Sequence, residues 1–514
     1  MRADLQRLKR DKQSGRNAAV TTRSGFLVHS KRLIWGVAGI VVFVGTASLA
    51  WRFLRPRRFD AAPIQSIAVL PFANPSKDPE MDYLGDGLSE EITNSLSRLP
   101  NLQVMARSTV SHYKSRQDDP QGVGHDLHVD AVLTGRVVEH GNELNVETEL
   151  VNVATGAQLW GERYTRSAND ASLLQAAITR DIASQLRPQL SGTARQNLAN
   201  VGTKDAEAYQ LYLKGRYHFE RWTAEDFKAA VEFFGKAVNR DPNYAAAYAG
   251  LANVYANQAY YGYSGHEAFE KSRTLARRAL DLDPQNPEAH TSLASVDMLY
   301  FRNFTEAEAE IRKALALDPS SSYAHQVASW FALEMGRLQE AITESRKAVE
   351  LDSLSPLYNN MLGEVYYYQR DYNHAIEQQN KTLEMNPNYI DAVASLGNLY
   401  AKLGDYKHAM EQWVKFEQLQ GNETLAKEVT QIFERSGSKG VVRKFAEVDE
   451  AEGHYHQAAA CLAMLGEKDA AFADLERAVA AGDGIDTIKL DPNLDNLRSD
   501  PRYADLLRRI GLPQ

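Results

Sequence analysis

A short acidic stretch is the first part of the chain whose residue types could support catalysis. Its sequence is YLGDGLSEE, in which Asp86, Glu90 and Glu91 come after glycines. Paired carboxylates can act as general acid and base, and glycines can let a backbone approach a phosphate. The spacing fits neither a dinucleotide loop nor a phosphate loop. A helix start capped by Asp86 or Ser89 explains the stretch more simply, so we predict a structural role for it.

Other candidate catalytic or metal-binding groups lack the partners that their chemistry needs. His125 and His128 lie three residues apart, but no further Cys or His accompanies them locally. The stretch GYSGH at 262–266 has a histidine where a nucleophile elbow needs a glycine, and HEAFE at 266–270 lacks the second histidine of a zinc protease. We therefore predict that the chain is not an enzyme and has no catalytic residue, no metal and no cofactor. The alternative is an enzyme with an unrecognised site in residues 64–190.

Charge is distributed unevenly along the chain. Residues 1–58 contain thirteen Lys or Arg and two Asp, a net charge of +11, whereas the whole chain carries −9. The remaining 456 residues therefore carry about −20. Because an acidic body repels phosphate backbones, we predict no nucleic-acid partner, whereas the basic arm suits an anionic membrane surface.

An internal repeat dominates the second part of the chain. Ala307, Ala341, Ala375 and Ala409 lie 34 residues apart, and Pro or Gly closes the units at the same interval. This period is typical of paired antiparallel helices, in which small residues allow close approach and stacked units share one core. The pattern resembles the tetratricopeptide repeat. The resemblance implies an α-solenoid that binds a protein or peptide ligand.

The same resemblance implies where the ligand binds. In tetratricopeptide repeats the first helix of each unit lines the concave side, and the clearest units start near residues 288, 322, 356 and 390. Counting from these starts gives a candidate peptide-binding groove formed by Tyr300, Trp330, Glu364, Tyr367, Asn398 and Lys402. Aromatic rings supply contact area, while Asn398 and Lys402 can bond backbone or carboxylate groups. The alternative is that Trp330 and Tyr367 pack between neighbouring units.

Residues 64–190 have the pattern of a small α/β domain. IQSIAVLPF and LQVMAR are short β-rich runs, three further strands follow, and the spacing from 170 to 187 is helical. The strings DYLGDGLSEEITNSLSRLP and LVNVATGAQLWGERY resemble the α/β domain related to the amino-terminal domain of TolB. In bacteria that domain is joined to a membrane helix and to tetratricopeptide repeats. The resemblance implies a binding or signal-receiving role.

An apolar run predicts a single transmembrane helix. Residues 33–50 carry no charge, and as a helix they would span about 27 Å, close to the hydrocarbon thickness of a bilayer. Trp35 and Trp51 lie near its ends, where aromatic rings favour the interface. A cleaved signal peptide is the alternative, although the charged and apolar regions are both long for one. The flanking basic residues tie at four on each side, so they do not orient the helix.

The predicted fold is mainly α, with a transmembrane helix, a small α/β domain and then the α-solenoid. Its predicted segments are a basic cytoplasmic arm (1–32), the transmembrane helix (33–50), a linker (51–63), the TolB-like α/β domain (64–190), about six repeats (205–421), an irregular helical segment (422–451), and a last repeat with a carboxy-terminal cap (452–514). The first two repeats carry insertions, which we place in the turns between their helices.

This order of segments resembles the juxtamembrane and extracytoplasmic part of bacterial membrane serine/threonine kinases. The sequence contains no kinase glycine-rich loop, no His-Arg-Asp motif and no Asp-Phe-Gly motif. The resemblance therefore implies the topology of those proteins without their activity. The amino terminus would lie on the cytoplasmic side of the cytoplasmic membrane, and the bulk of the chain would lie on the other side. We predict an interaction scaffold or sensor. A regulatory remnant that works with a separate kinase or other signalling partner is the alternative.

Overall fold

The computed structural model describes residues 64–510 apart from 77–78, 100, 141–142, 168–169, 188–201, 220, 222, 261–264, 266, 483 and 485–486. The predicted arm, transmembrane helix and linker (1–63) lie outside the described residues. Among the helices that are described, none combines the length and the apolar character needed to cross a membrane.

The first domain is built on a five-stranded mixed sheet. Its elements are β1 (Ser66–Val69), α1 (Pro79–Ser97), β2 (Gln103–Val104), α2 (Arg107–Ser111), α3 (Pro120–Asp126), β3 (Ala131–His140), β4 (Glu143–Asn152), β5 (Gln158–Ser167) and α4 (Ala171–Leu186). The strand order is β2-β1-β3-β4-β5, with β1 parallel to both neighbours and β3, β4 and β5 antiparallel. These are the strands and the final helix that the sequence predicts.

The sheet buries both of its faces around β1. Ile67 and Val69 belong to the core that α1 and α4 cover, whereas Ala68 and Leu70 belong to a smaller core with α2 and α3. Successive side chains of a strand point to opposite faces, so a short continuous apolar run is what a strand buried on both sides requires. The apolar positions of β4 are buried in alternation, as its sequence predicts.

The predicted start of α1 was wrong. The helix begins before Asp86 and Ser89, so neither residue caps it. The glycines of this stretch instead allow close packing. A Cβ on Gly87 would lie 3.0 Å from a methyl carbon of Leu213 in the first repeat helix, which is tighter than most such contacts.

The second domain is a solenoid of antiparallel helix pairs. Its first twelve helices are α5 (Ala206–Phe219), α6 (Ala224–Arg240), α7 (Ala245–Tyr260), α8 (Glu267–Leu282), α9 (Pro287–Leu299), α10 (Phe304–Leu317), α11 (Ser322–Glu334), α12 (Leu338–Leu351), α13 (Pro356–Tyr368), α14 (Tyr372–Met385), α15 (Ile390–Lys402) and α16 (Tyr406–Leu419). The four alanines of the 34-residue period are fully buried near the starts of α10, α12, α14 and α16. Their small size lets paired helices touch: Ser329 of α11 donates its hydroxyl to the carbonyl of Ala341 at 2.8 Å.

The insertions of the early units lie only partly in turns. Both α7 and α8 contain 16 residues, whereas α9 and α10 of the next unit contain 13 and 14. Part of the extra length of this unit therefore lies in its helices, because added turns of helix can extend the same packed pair.

The chain after α16 is also helical. In α17 (Glu423–Glu452) two helical pieces meet at Gly437, whose backbone angles of φ 66° and ψ −165° favour glycine. The segment predicted as irregular is thus a kinked helix. The last pair is α18 (Tyr455–Leu465) and α19 (Lys468–Ala481), followed by a 3₁₀ turn (Pro492–Leu497) and α20 (Pro501–Arg509).

Candidate binding cleft

The α/β domain contacts the solenoid at several places, which include Ser320 between α10 and α11, whose hydroxyl donates to the carbonyl of Leu102 at 3.3 Å. Two other contacts are closer. At the first, α1 packs on α5. Arg216 donates from Nε to Oε1 of Glu90 at 2.6 Å, and Tyr212 donates its hydroxyl to Oε1 of Glu91 at 2.9 Å. Apolar side chains of both domains surround these pairs in one continuous core. A buried core that is shared in this way indicates that the two domains fold as one unit.

The second contact joins the start of α2 to the link between α12 and α13. The backbone N–H of Ala106 donates to the carbonyl of Leu351 at 2.9 Å. Thr109 donates its hydroxyl to Oδ1 of Asp352 at 2.7 Å, and Ser108 donates to the other oxygen of the same carboxylate. The α/β domain therefore reaches along the solenoid from α5 to α13.

A cavity of about 1610 Å³ lies between the two domains and extends past the second contact to residues at the start of α15. We call it the central cleft. One wall consists of α1, α2 and residues of the segment between them. The other consists mainly of residues from α5, α7, α9, α11, α13 and α15, the first helices of six successive units, and from the links that precede these helices. Sites for small molecules usually have volumes of about 300 to 1,000 Å³. The central cleft is larger, and its length along several units suits an extended ligand.

Acidic side chains outnumber basic ones among the described residues that line the central cleft. The acidic residues are Glu90, Glu91, Asp283, Glu288, Asp318, Asp352 and Asp391. The basic residues are Arg98, Arg107, Arg216 and Arg221, with His112 beside them. This lining favours ligands that carry positive charge.

Burial raises the pKa of four of these carboxyl groups, the fourth being Asp391. Removal from water raises the pKa of Glu91 to about 7, an effect that the nearby Arg216 guanidinium partly offsets. Burial also raises the pKa of Asp318 and of Asp352, although hydroxyl groups donate hydrogen bonds to both. A buried carboxylate has this behaviour where nearby cations and hydrogen-bond donors do not fully compensate for the lost water.

The structure places the six predicted groove residues on the expected helices or at their ends, but none of the six is among the described residues that line the central cleft. Tyr300 follows α9 and is 38 % exposed, with its ring stacked on Phe269 at 5.1 Å between centroids. Trp330 is 8 % exposed and lies in the core between α9–α14. Trp330 therefore has the packing role that the sequence leaves open as an alternative.

Two of the six residues lie near the middle of their helices. Glu364 of α13 accepts a hydrogen bond from Asn360 at 3.0 Å, and burial together with the nearby Asp391 carboxylate raises its pKa to about 7. Asn398 of α15 is exposed. Glu364 is half-buried, and the binding role of both residues stays a prediction.

The remaining two residues contact the chain's own carboxy-terminal part. Lys402 donates from Nζ to the carbonyl of Pro492 at 2.7 Å. Tyr367 forms a hydrogen bond with Asn493. The nearby Arg370 pairs with Asp495 at 2.5 Å. The 3₁₀ turn after the last repeat thus covers the concave side of α13 and α15, where we predicted peptide contacts.

The lining residues that sequence reasoning missed come mainly from the α/β domain and from the first units. Arg216, Asn253 and Glu288 of the solenoid form a chain of hydrogen bonds in which Glu288 accepts from both of the others, at 2.7 and 3.0 Å. Glu90 and Glu91 drew notice in the sequence, but only as part of a helix start. The sequence did not predict how the α/β domain lies against the solenoid. That arrangement brings Glu90 and Glu91 close to Arg216, Asn253 and Glu288.

Two family models match this chain. Residues 64–181 match the second domain of HilA/YgeH-like transcriptional regulators. Residues 297–356 and 360–415 match the tetratricopeptide repeat. The prediction of tetratricopeptide repeats is confirmed, and with it a mainly helical fold that carries a small sheet domain. The model that matches the α/β domain is not that of TolB, and the resemblance to TolB stays a prediction.

Three similar proteins illustrate the range of these matches. A protein of Rhizobium meliloti (strain 1021) that is named as a candidate adenylate cyclase 3 is 32% identical to this chain over 255 residues. These residues cover 49% of this chain and 43% of that protein. The transcriptional regulator HilA of Salmonella typhimurium is 25% identical over 301 residues, 57% of this chain and 52% of that protein. The chain thus spans about half the length of these relatives. The crystal structure of YrrB, described as a TPR protein with an unusual peptide-binding site, is 20% identical, with a TM-score of 0.28, and covers 39% of this chain and 100% of YrrB.

Proposed function

We propose that this chain is a non-catalytic scaffold that holds a segment of a partner polypeptide in the central cleft. The observation that carries the proposal is the cleft itself, which has one wall from the α/β domain and the other from six successive repeat units. Repeat proteins use extended concave surfaces of this kind for binding. A second wall adds contact area on the opposite side of the ligand.

The lining chemistry favours a polypeptide over a compact small molecule. Asn253 and Asn257 of α7 and Thr291 of α9 line the cleft beside aromatic Tyr323 and Tyr358. Amide and hydroxyl side chains can bond to backbone N–H and C=O groups, and tyrosine rings provide contact area at low entropic cost. The acidic lining disfavours the phosphates of a nucleic acid, in keeping with the net charge of the chain beyond residue 58.

The names of the similar proteins support a binding role. One is called an adenylate cyclase and the other a transcriptional regulator, so their outputs differ, yet each matches this chain over about half of its own length. Because the outputs differ, the matched half of each protein is better explained as a part that binds than as the part that performs either output. The same reasoning supports a chain without catalytic activity.

The proposed location is the cytoplasmic (inner) membrane, with residues 33–50 as a single span. The uncharged run and its flanking basic residues support the span. The resemblance in segment order to membrane kinases supports an amino terminus inside and an extracytoplasmic cleft. In this arrangement a separate kinase or other signalling partner inside the cell would respond to ligand binding outside.

Site-specific photo-crosslinking in cells tests the proposal. A benzoylphenylalanine in place of Ser111 or of Asn388, two exposed residues on opposite walls of the cleft, should crosslink to a partner polypeptide of the same mass at both positions. The matched control replaces Gln339, which is exposed on α12 and outside the described lining. Crosslinks of equal yield at all three positions, or at the control alone, would overturn the proposal.

A further inference from the structure

The guanidinium groups beside the α1–α5 contact are already paired. Arg216 bonds Glu90 from Nε at 2.6 Å and Glu288 from a terminal nitrogen at 2.7 Å. Arg107 of α2 lies 3.6 Å from the second oxygen of Glu90 and 3.8 Å from Asp86. Asp86 also pairs with Lys114 at 2.8 Å. Three cations thus pair with Glu90, Glu288 and Asp86, whereas the hydrogen-bond donors to Glu91 are neutral.

The neutral partners of Glu91 use only one of its oxygens. Tyr212 donates to Oε1 at 2.9 Å, and the side-chain amide of Asn94 donates to the same atom at 3.4 Å. Among the described residues, no Lys or Arg forms an ion pair with Glu91, and Oε2 accepts no hydrogen bond. The carboxylate still lines the cleft, so a ligand can reach it.

We infer that the peptide ligand of the central cleft carries a lysine or arginine side chain and that Glu91 binds its cationic head. This inference rests on the proposed function. A cation at Oε2 of Glu91 would supply the positive charge that the local network lacks, and a charge-assisted hydrogen bond in a site shielded from water is stronger than a neutral one. The raised pKa of Glu91 agrees with this geometry, because burial near Glu90 and Glu288 without a dedicated cation disfavours its charge.

The surroundings favour an organic cation over a metal ion. Within the part of the chain that the structure describes, no three His, Cys, Asp or Glu side chains converge as metal ligands. The two groups that donate hydrogen bonds to Glu91 are instead the Tyr212 hydroxyl of α5 and the Asn94 amide of α1. A long side chain of a ligand can lie beside both groups and reach the carboxylate with its end. Lysine and arginine present a cation at the end of such a chain.

A peptide selection tests the inference. The full-length chain in mild detergent is used to select binders from a phage-displayed library of random dodecapeptides. The best binder is then synthesised in matched forms, in which each lysine is free or acetylated and each arginine is kept or replaced by citrulline. We expect basic residues to be enriched and neutralisation of one of them to weaken binding about tenfold. Glu91→Gln, which keeps an acceptor for Tyr212, should weaken the unmodified peptide by a similar factor and leave the neutralised peptide unchanged.

Controls separate this inference from the proposed function. Glu377→Gln, on the exposed surface of α14, should leave both affinities unchanged. Peptides that compete at the cleft but contain no basic residue, or that bind Glu91→Gln equally well, would overturn the inference and leave the proposed function standing. A selection that yields no cleft binder would overturn the proposed function and the inference together. Displacement of the selected peptide by a synthetic peptide of residues 1–16 at equal concentration would make the chain's own basic arm the occupant, and would overturn the role of a partner.

Discussion

Thr109 and Asp352, 243 residues apart in the sequence, meet in a buried hydrogen bond of 2.7 Å that joins the α/β domain to the solenoid. The hydroxyl side chain is fully buried, and the carboxyl group is almost fully buried. A buried carboxylate needs such donors, because water no longer solvates it. The bond therefore joins the two walls of the central cleft at a second place, away from the contact between α1 and α5.

Removal of this donor should destabilise the chain. Thr109→Val keeps the shape of the side chain but leaves Asp352 with one donor fewer, and we expect a loss of about 1 to 3 kcal/mol in the free energy of unfolding. Urea denaturation of the full-length chain measures this loss. Thr343→Val, at an exposed position of α12, is the matched control and should change the free energy little. Equal effects of the two variants would show that the bond does not join the domains.

Stability should depend on pH through Glu364. Its pKa in the fold is about 7, above the ordinary value of 4.5, because burial and the Asp391 carboxylate disfavour its charge. The raised pKa means that the stabilising contribution is complete below about pH 4.5 and is lost as the pH rises through 7. Glu364→Gln cannot ionise, so its stability relative to the natural chain should rise by about 1 to 3 kcal/mol between pH 5 and pH 8.

Unfolding midpoints at the two pH values measure this difference. Glu377→Gln, on the exposed surface of α14, serves as the control and should show no such gain with rising pH. A constant difference between Glu364→Gln and the natural chain across this range would mean that Glu364 is well solvated in the fold.

Overpacking of the repeat core should reveal the register of the units. Ala375 is fully buried at the start of α14, so Ala375→Trp forces a large ring between the paired helices and should destabilise the chain by about 1 to 3 kcal/mol or more. Lys381→Trp places the same ring on the exposed side of α14 and should leave the melting temperature nearly unchanged. If Ala375→Trp melts like the control, the alanine does not lie at the contact between the helices.

Fusion of reporter enzymes tests the proposed topology. Alkaline phosphatase joined after residue 200 should be active in a Gram-negative host, because this enzyme requires the oxidising side of the membrane. A cytoplasmic reporter fused at the same place should be inactive. The opposite pair of results would reverse the orientation of the proposed span at 33–50.

Local periodicity predicted the repeats, and long-range contacts limited the prediction of the site. The column of alanines that includes Ala375 follows from helix packing within one unit, so a single sequence shows it. The pairing of Glu90 with Arg216 depends on how two domains meet across 126 residues, and no local pattern encodes that. Gly87 misled the prediction because a glycine within a helix can allow close packing as well as mark a turn.

The same distinction explains the predicted groove. Unit numbering placed Tyr367 and Lys402 on the first helices of their units, α13 and α15. It did not show that Pro492 and Asn493 return to cover them, because the carboxy-terminal segment lies about 90 residues beyond α15 and has no repeat register of its own.

The central claim is that a partner segment lies in the central cleft. The most direct test measures how tightly the selected peptide binds variants in which tryptophan side chains occupy the cleft. The variant Ser111→Trp, Asn388→Trp adds bulk to both walls at exposed positions, and Gln339→Trp adds the same bulk outside the described lining. With unfolding midpoints unchanged, our account predicts that the double variant binds the selected peptide at least tenfold more weakly than the natural chain, while Gln339→Trp binds it equally well. Equal affinity of the natural chain and the double variant would contradict the account.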